Sequence, residues 1–175
     1  MEETRTSTPL LVISSRTGNT MILGHAICDA LPGAKLVKPA DLPEDLSGYN
    51  PVLLGFWCDR GNAPEEMLAI APRFEGKTIG CFATMGGDAD SPESKAWMQR
   101  TAEGLINAGK GNTLAGTFLC RGRIDPELFK RMTDMMGGVV SEEREARRRA
   151  SETHPDRLDL QKGAELFRSV FGMNF

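Results

Sequence analysis

The chain has 175 residues, enough for one domain that buries a single core without disulfide or metal staples. Its 21 Lys and Arg against 24 Asp and Glu leave a net charge of −3, and no basic stripe interleaved with aromatics occurs, which argues against nucleic acid as a ligand. The acidic start Met1-Glu2-Glu3-Thr4 and a first apolar run far too short for a signal-peptide core or a membrane span set the expectation of a cytoplasmic protein without membrane insertion.

In chain order, the apolar run Pro9-Leu10-Leu11-Val12-Ile13 predicts a first strand over about 10–14, followed by a polar turn and a helix to about Leu31. Residues 34–37 predict a short second strand, and a polar stretch holding Pro39, Pro43 and Gly48 leads to a third at 51–57. That third run is apolar without alternation, the pattern of a strand buried on both faces. A helix is expected over 63–74, a fourth strand over 78–84, a helix from near Pro92 toward Gly109, and a fifth strand over 113–120. Alternating strands and helices with short connections and no internal repeat argue for an α/β fold, a three-layer doubly wound sandwich around a parallel sheet.

The first turn, Ser14-Ser15-Arg16-Thr17-Gly18-Asn19-Thr20, joins a strand to a helix. The first amides of a helix lack intrahelical partners and lie at the positive end of its dipole, so hydroxyls and N–H groups converge there on one small anion. The plain alternative is an ordinary turn capped by Asn19 or Thr17. The run Ser15-Arg16-Thr17-Gly18-Asn19-Thr20, read as Ser/Thr-x-Ser/Thr-Gly-x-Thr, closely resembles the FMN-phosphate loop of the flavodoxin family. The resemblance implies a five-stranded parallel sheet of order 2-1-3-4-5, FMN at the strand ends, and electron transfer as the task.

In such sheets the ligand lies beyond the carboxyl ends of the strands, at the switch point between strands one and three. The loop Trp57-Cys58-Asp59-Arg60-Gly61-Asn62 and the stretch Thr84-Met85-Gly86-Gly87-Asp88 correspond in position to the loops that hold the flavin ring in that family. Trp57 is the expected stacking partner, with the last core position of its strand as the alternative. Gly86 and Gly87 would let backbone amides reach the ring edge. Many flavodoxins cover the outer ring face with a Tyr after strand four, but the only Tyr here is Tyr49, so a more open ring is expected. Asp59, Asp88 and Asp90 would lower the potential of a nearby flavin, and Arg60 would oppose them.

Two competing motifs fail on context. Ala71 to Thr78 fits a relaxed P-loop pattern, but a helix precedes it and a strand follows, the reverse of what a P-loop needs. A phosphorylated receiver domain of the same fold needs carboxylates after strand one to hold Mg2+, where this chain has Ser14 and Ser15. Cys28, Cys58, Cys81 and Cys120 are widely spaced and are expected to be free thiols. His25 and His154 have no nucleophile or carboxylate in useful sequence context, and neither a catalytic residue nor a metal site is assigned.

Beyond Cys120 the chain breaks into three helical pieces, one opened by Asp125-Pro126, one by Ser141-Glu142-Glu143, and one following His154-Pro155-Asp156. A single domain over 1–175 is expected, with a core at 8–121, a helical insertion or cap at 122–153, and a closing helix at 154–175. Because the chain leaves strand five at the cofactor's edge of the sheet, the segment 121–153 is expected to cover the flavin, with Leu128, Phe129, Met132, Met135 and Met136 as its apolar face. The function expected from the resemblance is an FMN-binding electron carrier working between a reductase and an acceptor enzyme as redox partner proteins. A small FMN-dependent NAD(P)H reductase of quinone-like or other conjugated acceptors, and a non-redox binding module of the same fold, remain as alternatives.

Overall fold

The computed structural model describes residues 7–172. Five strands, β1 (Thr8–Ile13), β2 (Lys35–Val37), β3 (Tyr49–Trp57), β4 (Thr78–Met85) and β5 (Thr113–Arg121), form one sheet in the order β2-β1-β3-β4-β5. Every pairing is parallel. The helices are α1 (Asn19–Asp29), α2 (Glu65–Ile70), α3 (Pro92–Ala108), α4 (Pro126–Met135), α5 (Glu142–Ser151) and α6 (Arg157–Val170).

Alternation along the strands sorts the core into two layers. Leu10, Val12, Val52, Leu54, Phe56, Ile79 and Cys81 face the side covered by α2 and α3, where Met67, Trp97 and Leu105 meet them. Leu11, Ile13, Leu53 and Phe82 face the other side, covered by Leu23 and Ile27 of α1 and Phe167 of α6. Phe167 is fully buried, with its ring 6.2 Å from that of Phe82. A Cβ on Gly80 would come within 2.7 Å of it, so the bare backbone there is what lets α6 settle onto the sheet. Burying such a ring stabilises the fold by about 1.5–3 kcal/mol.

The helix expected over 63–74 is shorter than its pattern. After α2 the chain tightens into a 3-10 turn at Ala71–Arg73, because Pro72 has no N–H with which to continue the α-helical ladder. At the other end of the chain, α6 opens with a capping box in which Asp156 accepts from the Asp159 N–H and Asp159 accepts from the Asp156 N–H.

Helices α4 and α5 follow β5, and the Arg144 guanidinium of α5 lies over the Phe129 ring of α4. The Ser151 hydroxyl accepts from the Ile124 N–H at 3.0 Å and donates to the Arg148 carbonyl at 2.7 Å, which ties the end of α5 to the chain just leaving the sheet. Arg148 in turn reaches Glu145 and Glu152 along α5. No helix among the described residues is long and apolar enough to cross a membrane.

Candidate functional site

The parallel register brings several strand ends to one rim, with Trp57 beside Thr84 and Met85 beside Arg121. A cleft of about 160 Å³ opens there. Of the residues singled out in the sequence, it brings together Ser15, Arg16, Thr17, Asn19 and Thr20 before and within α1, Trp57 and Cys58 at the end of β3, and Thr84, Met85 and Gly86 at the end of β4.

Gly18 precedes α1 with φ 99°, a left-handed conformation that costs glycine little. The first intrahelical bond runs from the Ile22 N–H to the Gly18 carbonyl, so the N–H groups of Asn19 and Thr20 lie ahead of the ladder and can meet an outside acceptor. The Ser15 hydroxyl accepts from the Met21 N–H at 3.3 Å. Thr17 is exposed and lines the cleft. Thr20 is buried below it, its hydroxyl 2.9 Å from that of Thr84 and 3.4 Å from the Phe56 carbonyl. Arg16 and Arg123 also line the cleft, against the one carboxylate of Asp125, so the excess positive charge joins the helix N-terminus in favouring an anion.

On the other side Trp57 is half-buried, and the Arg16 guanidinium sits 5.7 Å from its ring centroid. Cys58 shares this wall, but burial, followed by the charge of Asp59, pushes its thiol pKa up against the opposing Gly61 backbone hydrogen bond. It therefore stays protonated near neutral pH and is a poor nucleophile. Gly86 lines the cleft, and a Cβ there would stand 2.8 Å from Ile124. Its small size makes room for the chain arriving from β5.

Eight other residues singled out in the sequence lie off the cleft wall. Ser14 is buried, donating its hydroxyl to the Glu66 carboxylate and its N–H to the Gly55 carbonyl. Gly18 shapes the turn without lining the cavity. Asp59, Arg60, Gly61 and Asn62 close on themselves: Asp59 and Asn62 exchange backbone N–H bonds of 2.8 and 2.9 Å, with Arg60 at φ 52° and Gly61 at φ 77°. The Gly61 carbonyl accepts from Trp97 Nε1 at 3.0 Å, laying this turn against α3. The Gly87 carbonyl accepts from Arg121 Nε at 3.0 Å, and the Asp88 carboxylate accepts from the Asp90 N–H at 3.0 Å. Neither Gly87 nor Asp88 lines the cleft.

Of the far wall, the sequence singled out only Leu128, as part of the segment expected to cover the flavin. The wall consists of Gly122, Arg123, Ile124, Asp125 and Leu128, and the available signal was their position directly after a strand that ends at this rim. The Asn19 side-chain amide donates to the Arg123 carbonyl at 2.8 Å, joining this wall to the turn before α1. The expected apolar face of α4 divides. Leu128 lines the cleft, whereas Met132, Met135 and Met136 are 49%, 87% and 64% exposed.

Comparisons with known proteins agree with this fold. The family model described as a flavodoxin domain matches residues 10–168. The chain is 27% identical over 171 residues to the flavodoxin-like domain-containing protein BilS of Clostridioides difficile, covering 92% of this chain and 94% of that one. Oxidised flavodoxin 1 of Bacillus cereus superposes with a TM-score of 0.60 at 17% identity, covering 97% of this chain and 99% of its own. A flavoprotein of Lactobacillus acidophilus in complex with FMN gives a TM-score of 0.51 at 13% identity, covering 65% of this chain and 93% of its own.

Proposed function

This chain belongs to the flavodoxin domain family, and on that premise we propose that it binds FMN in the cleft and carries electrons between a reductase and an acceptor protein. The observation that carries this reading is the joining, in one cleft, of the α1 N-terminus with its Thr17 and Ser15 hydroxyls to a slot walled by Trp57. The first is an anion site, the second a flat apolar surface with one N–H donor.

Bound FMN would accept and release electrons one or two at a time, and the chain would supply position and charge. Thr17, Ser15 and the free amides of Asn19 and Thr20 would hold the phosphate, with Arg16 and Arg123 offsetting its charge. Trp57, Met85 and Gly86 would flank the ring. The cleft, about 160 Å³, is smaller than the roughly 300–1,000 Å³ pockets that enclose drug-sized ligands. Part of the flavin would therefore remain at the surface, where electrons can pass to a partner without the carrier opening. Cys28, Cys58, Cys81 and Cys120 are all free thiols, in keeping with a reducing cytoplasmic setting.

The alternative, a small FMN-dependent reductase, is favoured by one observation: the loop over 86–91 offers no aromatic to cover the ring. The test is to purify the chain, record its visible absorbance, and identify the cofactor released by mild denaturation. Released FMN supports the reading, and a colourless chain that takes up no flavin overturns it. Steady oxidation of NADPH or NADH by the loaded chain alone would identify the reductase instead of the carrier.

A further inference from the structure

Between α4 and α5 runs a second groove, of about 160 Å³, lined by Ile124, Leu128, Phe129, Met132, Arg144 and Arg147. Two guanidinium groups thus stand on an otherwise apolar wall, and no carboxylate lines it. Arg144 lies with its Cζ 4.8 Å from the Phe129 ring centroid. That contact satisfies the cation electrostatically but accepts none of its conventional N–H bonds.

Arg144 Nη1 is buried and has no hydrogen-bond partner among the described residues. A buried N–H of a charged group costs considerable free energy when left unpaired. Its neighbour Arg148 is fully engaged with Glu145 and Glu152 on the same helix, so α5 does have carboxylates to spend, and none is spent on Arg144. Neither Arg144 nor Arg147 forms an ion pair among the described residues, so an anion entering the groove would meet two cations that no carboxylate of the chain neutralises.

We propose that this groove binds a small molecule carrying a carboxylate on an apolar body. Arg144 and Arg147 receive the carboxylate, and Leu128, Phe129 and Met132 receive the body. A guanidinium matches a carboxylate with paired, charge-assisted N–H donors, and Met132 supplies an adaptable edge for bodies of different shape. Because Ile124 and Leu128 wall both this groove and the first cleft, a ligand here lies directly beside the proposed cofactor site. The inference stands on the groove alone and does not need the flavin.

The test is calorimetric titration of the chain as purified with 3-phenylpropionate, 3-phenylpropanol and acetate. These probes hold, in turn, the charge with the body, the body alone, and the charge alone. The expected result is binding of 3-phenylpropionate about fivefold or more tighter than either of the others, with the preference lost in Arg144→Gln and reduced in Arg147→Gln. Arg148→Gln, which removes a cation of the same helix outside the groove, should leave it unchanged. Equal binding of the three probes, no binding of any, or an undiminished preference in both Arg144→Gln and Arg147→Gln would overturn the proposal. A flavin spectrum recorded on the same samples keeps this outcome separate from that of the cofactor reading.

Discussion

The side-chain amide of Asn19 donates to the backbone carbonyl of Arg123 at 2.8 Å, so the turn before α1 and the chain leaving β5 form one continuous wall of the cleft. Gly122 makes this contact possible, since a Cβ there would lie 2.8 Å from Asn19 Nδ2 and 3.0 Å from Asn19 Cβ. Gly122→Ala should displace Asn19 and weaken FMN about tenfold, and Asn19→Ala should do much the same. The two changes share one contact and should not add, so Gly122→Ala in an Asn19→Ala background should cost little more. Flavin titration of the four proteins checks this, and full additivity would mean that Gly122 acts elsewhere.

The hydroxyls of Thr17 and Thr20 are placed differently, and their removal should separate binding from stability. Thr17 is exposed at the cleft, so Thr17→Val should weaken FMN by about tenfold while leaving riboflavin and thermal stability nearly unchanged. Thr20 is buried with its hydroxyl against that of Thr84 at 2.9 Å. Thr20→Val removes a partner from Thr84 and should lower stability by about 1–2 kcal/mol as well. Denaturant titration alongside flavin binding distinguishes the two effects.

Much of this arrangement was legible in the sequence. The unbroken apolar run of β3 and the alternation of strands and helices specify a doubly wound parallel sheet, and most of the hydroxyl-rich turn lines the cleft at the ends of its strands. What escaped was side-chain direction. Asp59 to Asn62 follow β3 at the right level, but the Asp-Arg-Gly-Asn run folds into a tight turn closed by its own backbone and held by Trp97, a contact that lies 36 residues away in the chain. Ser14 has the residue type of an anion ligand, yet strand alternation turns it toward Glu66. The far wall carries no motif, because Gly122 and Ile124 matter through the space they leave or fill.

Charge at the cleft leads to a prediction about potential. Asp59 and Asp88 do not line the cleft, whereas Arg16 and Arg123 do. Removing a nearby cation disfavours the added electrons, so Arg16→Gln and Arg123→Gln should each lower the potential of bound flavin by about 20–60 mV. Asp59→Asn and Asp88→Asn should shift it by less. A larger effect from the two Asp substitutions in redox titration would place the ring toward the other loops.

Asp156 supplies a pH dependence. The Asp159 N–H, and after it the nearby His154, hold its carboxyl below the usual value despite the opposing cost of burial. A carboxyl depressed in the folded state stabilises the fold above its unfolded pKa, and that contribution is lost as the pH falls through the folded value. Asp156→Asn keeps an oxygen to cap α6 but does not titrate. The advantage of the natural chain over this variant should be present at about pH 6 and shrink below about pH 4. Urea unfolding across that range checks it, and a constant difference would mean that Asp156 acts only as a neutral cap.

The central claim, that the cleft is an FMN site read through its phosphate, is tested most directly by titrating flavin-free chain with FMN and with riboflavin and following the quenching of flavin fluorescence. FMN has about 30 heavy atoms, and at about 0.3 kcal/mol for each a Kd at or below the micromolar range is expected. Riboflavin, which lacks only the phosphate, should bind about tenfold or more weakly. Equal affinity for the two, or no binding of either, would contradict the account.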